Sequence, residues 1–267
     1  MKKIIVFLFC AMLLVGCTAK QTDTNNTEVV TGNYTDEMKI EYAVDLDEYG
    51  ADSVERDGDH QSSPYFVQLD FYNMESTDTL TILANFKTYQ QTSEWSCGVA
   101  AAMMVLEYYG RLGDWNEETL SELRTNGLAS EATSLESLIL IFEGVGGFVI
   151  NSTYDYDEES MWEEITLEMV QSYLKDGIPV IVGWNDWGGH WQVIIGYDTM
   201  GTESVQDDVI IVADSYDATD HNQDGYGVYG AERFYYNWTM YDFFEKYYSL
   251  EERDLLFLAP VLIEEDK

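Results

Sequence analysis

The sequence predicts an α+β fold, with helices in the first part of the domain and antiparallel strands in the second. Three observations carry that expectation. Between about residues 97 and 175, apolar residues recur at helical spacing in segments closed by Gly110, Gly127, Gly144 and Gly177. From residue 178 the character changes to compact apolar runs at 178–182, 190–197, 209–213 and 255–263, separated by Asn, Asp and Gly turns. Finally, Cys97 opens a helix in one half and His190 opens a strand in the other, so a cleft is expected between them.

The elements follow in order. Val67, Leu69 and Phe71 alternate with polar residues as in a half-wet strand, and Leu80, Ile82 and Ala84 suggest a second. Cys97, Ala101, Met104, Val105 and Tyr108 form one apolar helical face, with Gly110 placed for a left-handed cap. A second helix is expected from an Asn116 cap to Asn126-Gly127. A third starts at Thr133, with Glu136 completing a capping box, and ends at Gly144. After a short strand at 148–151, a helix over 166–175 turns Leu167, Val170, Tyr173 and Leu174 inward and stops at Gly177. Besides the apolar runs, a strand is expected at 233–236, and Pro260 restricts the last strand to an edge or bulge.

The chain has 267 residues, enough for one large domain or two small ones, and 46% of them are apolar. Its start reads as an address. Lys2 and Lys3 precede an apolar run at 4–15, short for a bilayer span, that ends in Leu14-Val15-Gly16-Cys17. This ending resembles the lipobox of bacterial lipoproteins. The resemblance implies cleavage before Cys17, lipidation of Cys17 and an extracytoplasmic protein anchored to the cell membrane. An ordinary secretory signal or an uncleaved anchor is the alternative. Residues 18–63, polar and acidic, are expected to be a tether, and residues 64–267 the folded domain.

The formal charge is −37, from 13 Lys+Arg against 50 Asp+Glu. Such a surface repels nucleic acid and anionic headgroups, so nucleic acid is excluded as a partner. It suits a cationic peptide or amine substrate, or simply keeps the protein soluble. The 20 Tyr, 7 Trp and 11 Phe rule out wholesale disorder.

Three cysteines are present. Cys10 lies in the leader and Cys17 is assigned to lipid, which leaves Cys97 and no intramolecular disulfide framework. A thiol on the first turn of a helix sits in the positive end of the dipole, which favours thiolate. Gln91, six residues upstream, carries an amide suited to an oxyanion. Of three histidines, His60 lies in the acidic lead-in and His221 in an Asp/Asn/Gly loop. His190 follows Gly188-Gly189, and a neutral imidazole there can accept the thiol proton and return it. Asp214, at the end of the next strand, is placed to fix the imidazole tautomer. Its rival Asp198 lies eight residues along the same strand as His190, roughly 26 Å away at ~3.3 Å per residue.

Residues 220–225 carry the Asp-x-Asn-x-Asp-Gly spacing of calcium loops. Ala231 stands at the twelfth position and strands flank the loop, so a hydrogen-bonded acidic turn is expected, with no metal and no cofactor. Trp184, Trp187 and Trp191 either wall a substrate groove or pack in the core.

Several stretches together are familiar: Gln91, five residues, then Cys97-Gly98; a helix ending Tyr108-Tyr109-Gly110; Gly177-Ile178-Pro179-Val180-Ile181-Val182-Gly183-Trp184; Gly189-His190-Trp191; Val193-Ile194-Ile195-Gly196-Tyr197-Asp198; and Asp214. Over residues 88–238 the chain resembles the bacteriocin-processing (double-glycine leader) peptidase family and its stand-alone relatives among the papain-like cysteine peptidases. The resemblance implies a papain-like fold and a peptide or protein substrate. It also implies Cys97 as nucleophile, His190 as general base and acid, Asp214 as orienting group, and Gln91 with the Cys97 amide as oxyanion hole. The family often has Pro after the acidic residue, where Ser215 stands here. Leader-processing members are fused to membrane transporters and these 267 residues show no transporter segment, so the substrate class widens to peptide or amide. The same site suits a papain-like acyltransferase or transglutaminase-type enzyme, and a non-catalytic peptide-binding lipoprotein is the third possibility.

Overall fold

Among the described residues, seven antiparallel strands form one sheet: β1 (Leu80–Ile82), β2 (Phe148–Ser152), β3 (Val180–Trp184), β4 (His190–Asp198), β5 (Val209–Ala213), β6 (Tyr226–Gly230) and β7 (Leu256–Leu262). The structure, a computed structural model, describes residues 36–53, 69–186, 188–217, 223–240 and 254–263. The leader with Cys17, residues 18–35 and 54–63 of the expected tether, His60, Trp187 and His221 lie outside them. The strand order is β2-β7-β3-β4-β5-β6, with β1 paired to the far end of β4. β3 is buried throughout and β4 from His190 to Tyr197, which is why both read as continuous apolar runs rather than alternating ones. Pro260 fits because β3 pairs with β7 only as far as Leu258. Beyond that point one side of β7 is open, and Tyr109 Oη donates to the Pro260 carbonyl there (2.8 Å).

Six helices lie among the described residues: α1 (Cys97–Tyr108), α2 (Glu117–Ser121), α3 (Leu135–Val145), α4 (Ser160–Glu164), α5 (Leu167–Lys175) and α6 (Ala231–Trp238). The α+β class holds. α1 is more enclosed than one apolar face suggests, since every residue from Cys97 to Leu106 is buried. Its end is a Schellman motif: Gly110 (φ 64°) donates to the Glu107 carbonyl and Arg111 to that of Leu106. Asn116 and Thr119 form the capping box of α2, and Thr166 caps α5 ahead of Gly177 (φ 75°).

Several boundaries differ from expectation. α2 ends at Ser121 rather than near Gly127. α3 is capped by Ser134, whose hydroxyl accepts from the Ser137 N–H, because Thr133 is committed elsewhere: its carbonyl accepts from Trp191 Nε1 (2.7 Å). α3 runs on to Val145, with Gly144 fitted against Leu123. Residues 233–236 are helical, not extended. Ala231, Phe234 and Trp238 bury one helical face there, and the aromatic run had mimicked strand propensity. The strand lies just before, in the glycine-interrupted β6. Residues 69–71 form no strand, although Phe71 and Tyr72 are buried.

The expected tether also needs correction. Residues 36–53 pack on the domain instead of standing off it. Met38 and Ile40 are buried, Lys39 bridges Thr88, and Ile40 N–H donates to the Thr88 carbonyl (2.9 Å). Further on, Asp47 N–H donates to Thr92 O, Leu46 N–H to Thr92 Oγ1, and Ala51 N–H to Gln91 O. A Cβ on Gly50 would sit 2.3 Å from the Thr92 carbonyl carbon, so glycine is required where this strap crosses the 91–93 loop. The folded unit therefore includes residues N-terminal to 64. Apolar residues there are too sparse for periodicity to show; backbone hydrogen bonds do the docking.

Candidate active site

The site is built from two strand ends and one helix start. His190 opens β4 opposite Trp184 of β3, directly after Gly188 (φ 86°) and Gly189 (φ 128°), backbone angles that favour glycine. β4 and β5 are registered with Val193 against Ala213. One step further, that register sets Asp214 opposite Gln192 and diagonal to His190, and side chains two apart on a strand share a face. Accordingly, His190 Nε2 lies 2.7 Å from Asp214 Oδ1, and Gln192 Nε2 donates to Asp214 Oδ2 at 2.7 Å. The Tyr216 N–H adds a third hydrogen bond to the carboxylate (2.7 Å). Asp198, at the far end of β4, caps Met200 N–H instead.

Both charged groups are buried. Burial alone pushes the His190 imidazole down, but the Asp214 charge and hydrogen bond, with a contribution from Cys97, hold it well above its ordinary value. Burial pushes Asp214 up, and the His190 charge, its hydrogen bond and those from Tyr216 and Gln192 more than offset this and hold it below the usual carboxylate value. Both shifts favour an imidazolium beside a carboxylate.

Cys97 is a free thiol, 6% exposed, at the first position of α1. Its side chain hydrogen-bonds that of His190, whose Nε2 is engaged by Asp214. Gly98 makes this approach possible. A Cβ there would lie 2.8 Å from Thr133 Cβ and 3.1 Å from Trp191 Cδ1. Cys97 is the first residue of α1, where the amide has no acceptor within the helix. Gln91 Oε1 accepts from the Ser215 hydroxyl (2.7 Å), its Nε2 donates to Ser93 O (2.7 Å), and its backbone N–H donates to Ser215 O (2.9 Å). One amide hydrogen of Gln91 is left for the cleft. Neighbouring Gln90 points elsewhere, to Asp217 O. Gln91, Cys97 and His190 share a cleft of about 300 Å³ with Glu94, Gly189 and Tyr216.

An imidazole whose basicity is raised, beside a thiol, can take the thiol proton to leave a nucleophilic thiolate and an imidazolium, and two N–H donors at the mouth can receive the charge of a tetrahedral oxyanion. The profile of the Peptidase_C39 like family matches residues 83–244, more than half of the chain. The chain belongs to this family. No curated protein matches it. Membership in the Peptidase_C39 like family supports a papain-like cysteine peptidase, and such a family implies peptide or protein substrates. The match spans Gln91, Cys97, His190 and Asp214; the whole 36–53 strap and all of β7 fall outside it.

Beyond what this family resemblance supplied, four residues of the site escaped the sequence reading. Gln192 is fully buried and links Asp214 to Trp184, whose Nε1 donates to Gln192 Oε1 (2.7 Å), and to Tyr229 Oη (3.1 Å). A lone polar residue two positions after His190 in an apolar strand was the available signal. Ser215 ties the Gln91 amide to the Asp214 strand. Arg124 is buried and stacks 4.3 Å above the Trp95 ring. It donates to the carbonyls of Gly127, Ala129 and Glu131; burial lowers its pKa, partly offset by Cys97 and Glu131. Glu117 is the fourth. Trp184 and Trp191 are core residues bonded to Gln192 and Thr133, and neither lines the Cys97 cleft. Residues 220–222 of the calcium-like loop are not described. Next to them, Asp217 and Asp224 cap the Gly225 and Tyr226 amides, and no group of three potential ligands gathers among the described residues.

Proposed function

We propose that this chain is an extracytoplasmic cysteine peptidase, lipid-anchored at Cys17, that hydrolyses peptide or amide bonds through Cys97, His190 and Asp214. The observation that carries the reading is the buried His190–Asp214 contact of 2.7 Å, with the Cys97 side chain interacting with the same imidazole in a shared cleft. In the proposed reaction the Cys97 thiolate attacks the scissile carbonyl carbon and a C–S bond forms. The oxyanion takes hydrogen bonds from Gln91 Nε2 and the Cys97 amide. His190 gives its proton to the leaving amine as the C–N bond breaks. Water, deprotonated by His190, then attacks the thioester, releases the acid and restores the thiolate–imidazolium pair.

The test is labelling of the full chain by a peptide electrophile, alongside turnover of fluorogenic peptides. Fast labelling at Cys97 that is lost in His190→Ala supports the peptidase; slow, nonselective alkylation equal in both proteins rejects it in favour of a peptide-binding lipoprotein. Product that shifts to an amide when an amine is added assigns an acyltransferase instead. For the anchor, Cys17→Ala is expected to abolish incorporation of labelled palmitate and to release the protein from the membrane fraction.

A further inference from the structure

Glu117 is the first residue of α2, 1% exposed, with no ion-pair partner among the described residues. An acid at the start of a helix is ordinary, but this one faces inward. Its Oε2 accepts from Tyr89 Oη (2.8 Å) and Thr92 Oγ1 (2.7 Å), and its Oε1 accepts from the Thr92 N–H (3.1 Å). The Ser96 hydroxyl reaches the same carboxylate. These donors bracket Gln91 and end one residue before Cys97. The stretch between the two belongs to no strand, and the carboxylate is the acceptor around which it folds.

We propose that ionised Glu117 is a positioning residue that shapes the oxyanion side of the site, an inference that rests on the peptidase reading above. The carboxylate has only acceptors and its neighbours all donate. On protonation it gains a hydrogen that faces only donors, which weakens the Tyr89 and Thr92 bonds and lets the 89–96 loop relax. Burial raises the Glu117 pKa, and the hydrogen bonds from Ser96, Thr92 and Tyr89 only partly offset this. A raised folded-state value means that the ionised form costs stability as pH rises through that value, which fits a charge kept for activity. The titratable groups around it are Tyr89, raised by burial and by Glu117, with Tyr42 edge-on to Tyr89 and Asp52 acting on it.

The test compares the full-length wild type with Glu117→Gln and Glu117→Asp, reading kcat and KM against pH, the thermal midpoint, and alkylation by iodoacetamide, which forms no oxyanion. Glu117→Gln is expected to lower kcat by roughly 10- to 100-fold, the scale of a misplaced catalytic donor, with KM nearly unchanged. It is also expected to remove the acid limb that Glu117 sets. Iodoacetamide rates and the thermal midpoint stay near wild type, and Glu117→Asp restores part of kcat and the acid limb. Wild-type kcat with an unchanged acid limb in Glu117→Gln overturns the assignment alone. Parallel losses of stability, alkylation and turnover also overturn it, by making the role structural. No turnover and no His190-dependent labelling in the wild type overturns the peptidase reading, and this assignment with it.

Discussion

The two sides of the cleft are built by different means. On the sheet side, His190 and Asp214 stand on neighbouring strands whose ladder fixes their separation, and buried β3, β4 and β5 leave little room for error. On the helix side, Gln91 and Cys97 are joined by five residues with no ladder. That loop is held by side chains and the strap: Glu117 beneath it, Ser215 beside it, and Leu46, Asp47 and Ala51 across it. In the proposed reaction the sheet side supplies proton transfer from rigid backbone, and the loop side supplies charge stabilisation from a hydrogen-bonded assembly. Variants on the two sides should fail differently.

The largest expected effect is on the sheet side. Asp214→Asn leaves Gln192 and Tyr216 in place but removes the charge on His190, and kcat should fall by about 10⁴-fold, the scale for loss of the orienting carboxylate. The stability difference between wild type and Asp214→Asn should also vary with pH. His190 is raised above 6.5, so its contribution is full below that pH and is lost as pH rises through the folded value. Asp214 is lowered from 3.8, so its contribution is full above that pH and is lost as pH falls. The gap in thermal midpoint should therefore be widest between these values. A flat difference across that range would dissolve the rigid ion pair on which the comparison stands. On the loop side, Gln91→Ala should cost roughly 10²–10³ in kcat with little change in iodoacetamide rate, as expected for one lost oxyanion donor. Equal losses in both assays would place Gln91 with the proton-transfer side.

The sheet side was also the legible one. The runs at 190–197 and 209–213 announce buried strands, and a histidine and an aspartate at their ends are brought together by pairing alone. Cys97 at a helix start and Gly110 at its end were equally plain, because helix caps are local chemistry. The loop side was not readable in the same way. Glu117 looks like any first-turn acid, since its burial depends on Thr92 and Tyr89, more than twenty residues back. Gly50 looks like a turn until the 91–93 backbone lies against it. The strap has the composition of a tether because its attachment uses main-chain donors, which composition does not register. β6 and α6 were displaced for a related reason: glycines hid the alternation of one, and aromatic residues hid the helical period of the other.

The smallest effect gives the finest test of how the two sides are joined. Ser215 follows Asp214 where the resembled family often has Pro, and its hydroxyl donates to Gln91 Oε1 while its carbonyl accepts from the Gln91 backbone. A proline at 215 would carry no hydroxyl, so here the amide orientation is fixed by a bond that proline cannot make. Ser215→Ala removes that bond and leaves the backbone contact. The Gln91 amide then gains rotational freedom, and kcat should fall by up to about tenfold, the equivalent of one net hydrogen bond. KM should stay constant, because only the oxyanion state uses the amide. Ser215→Thr should recover most of the rate. In Gln91→Ala the Ser215→Ala change should have no further effect, since its bonding partner is gone. A full additional loss in that double variant would show that Ser215 acts on the site through Asp214 rather than through Gln91, and the two sides would then be coupled along β5 instead of across the cleft.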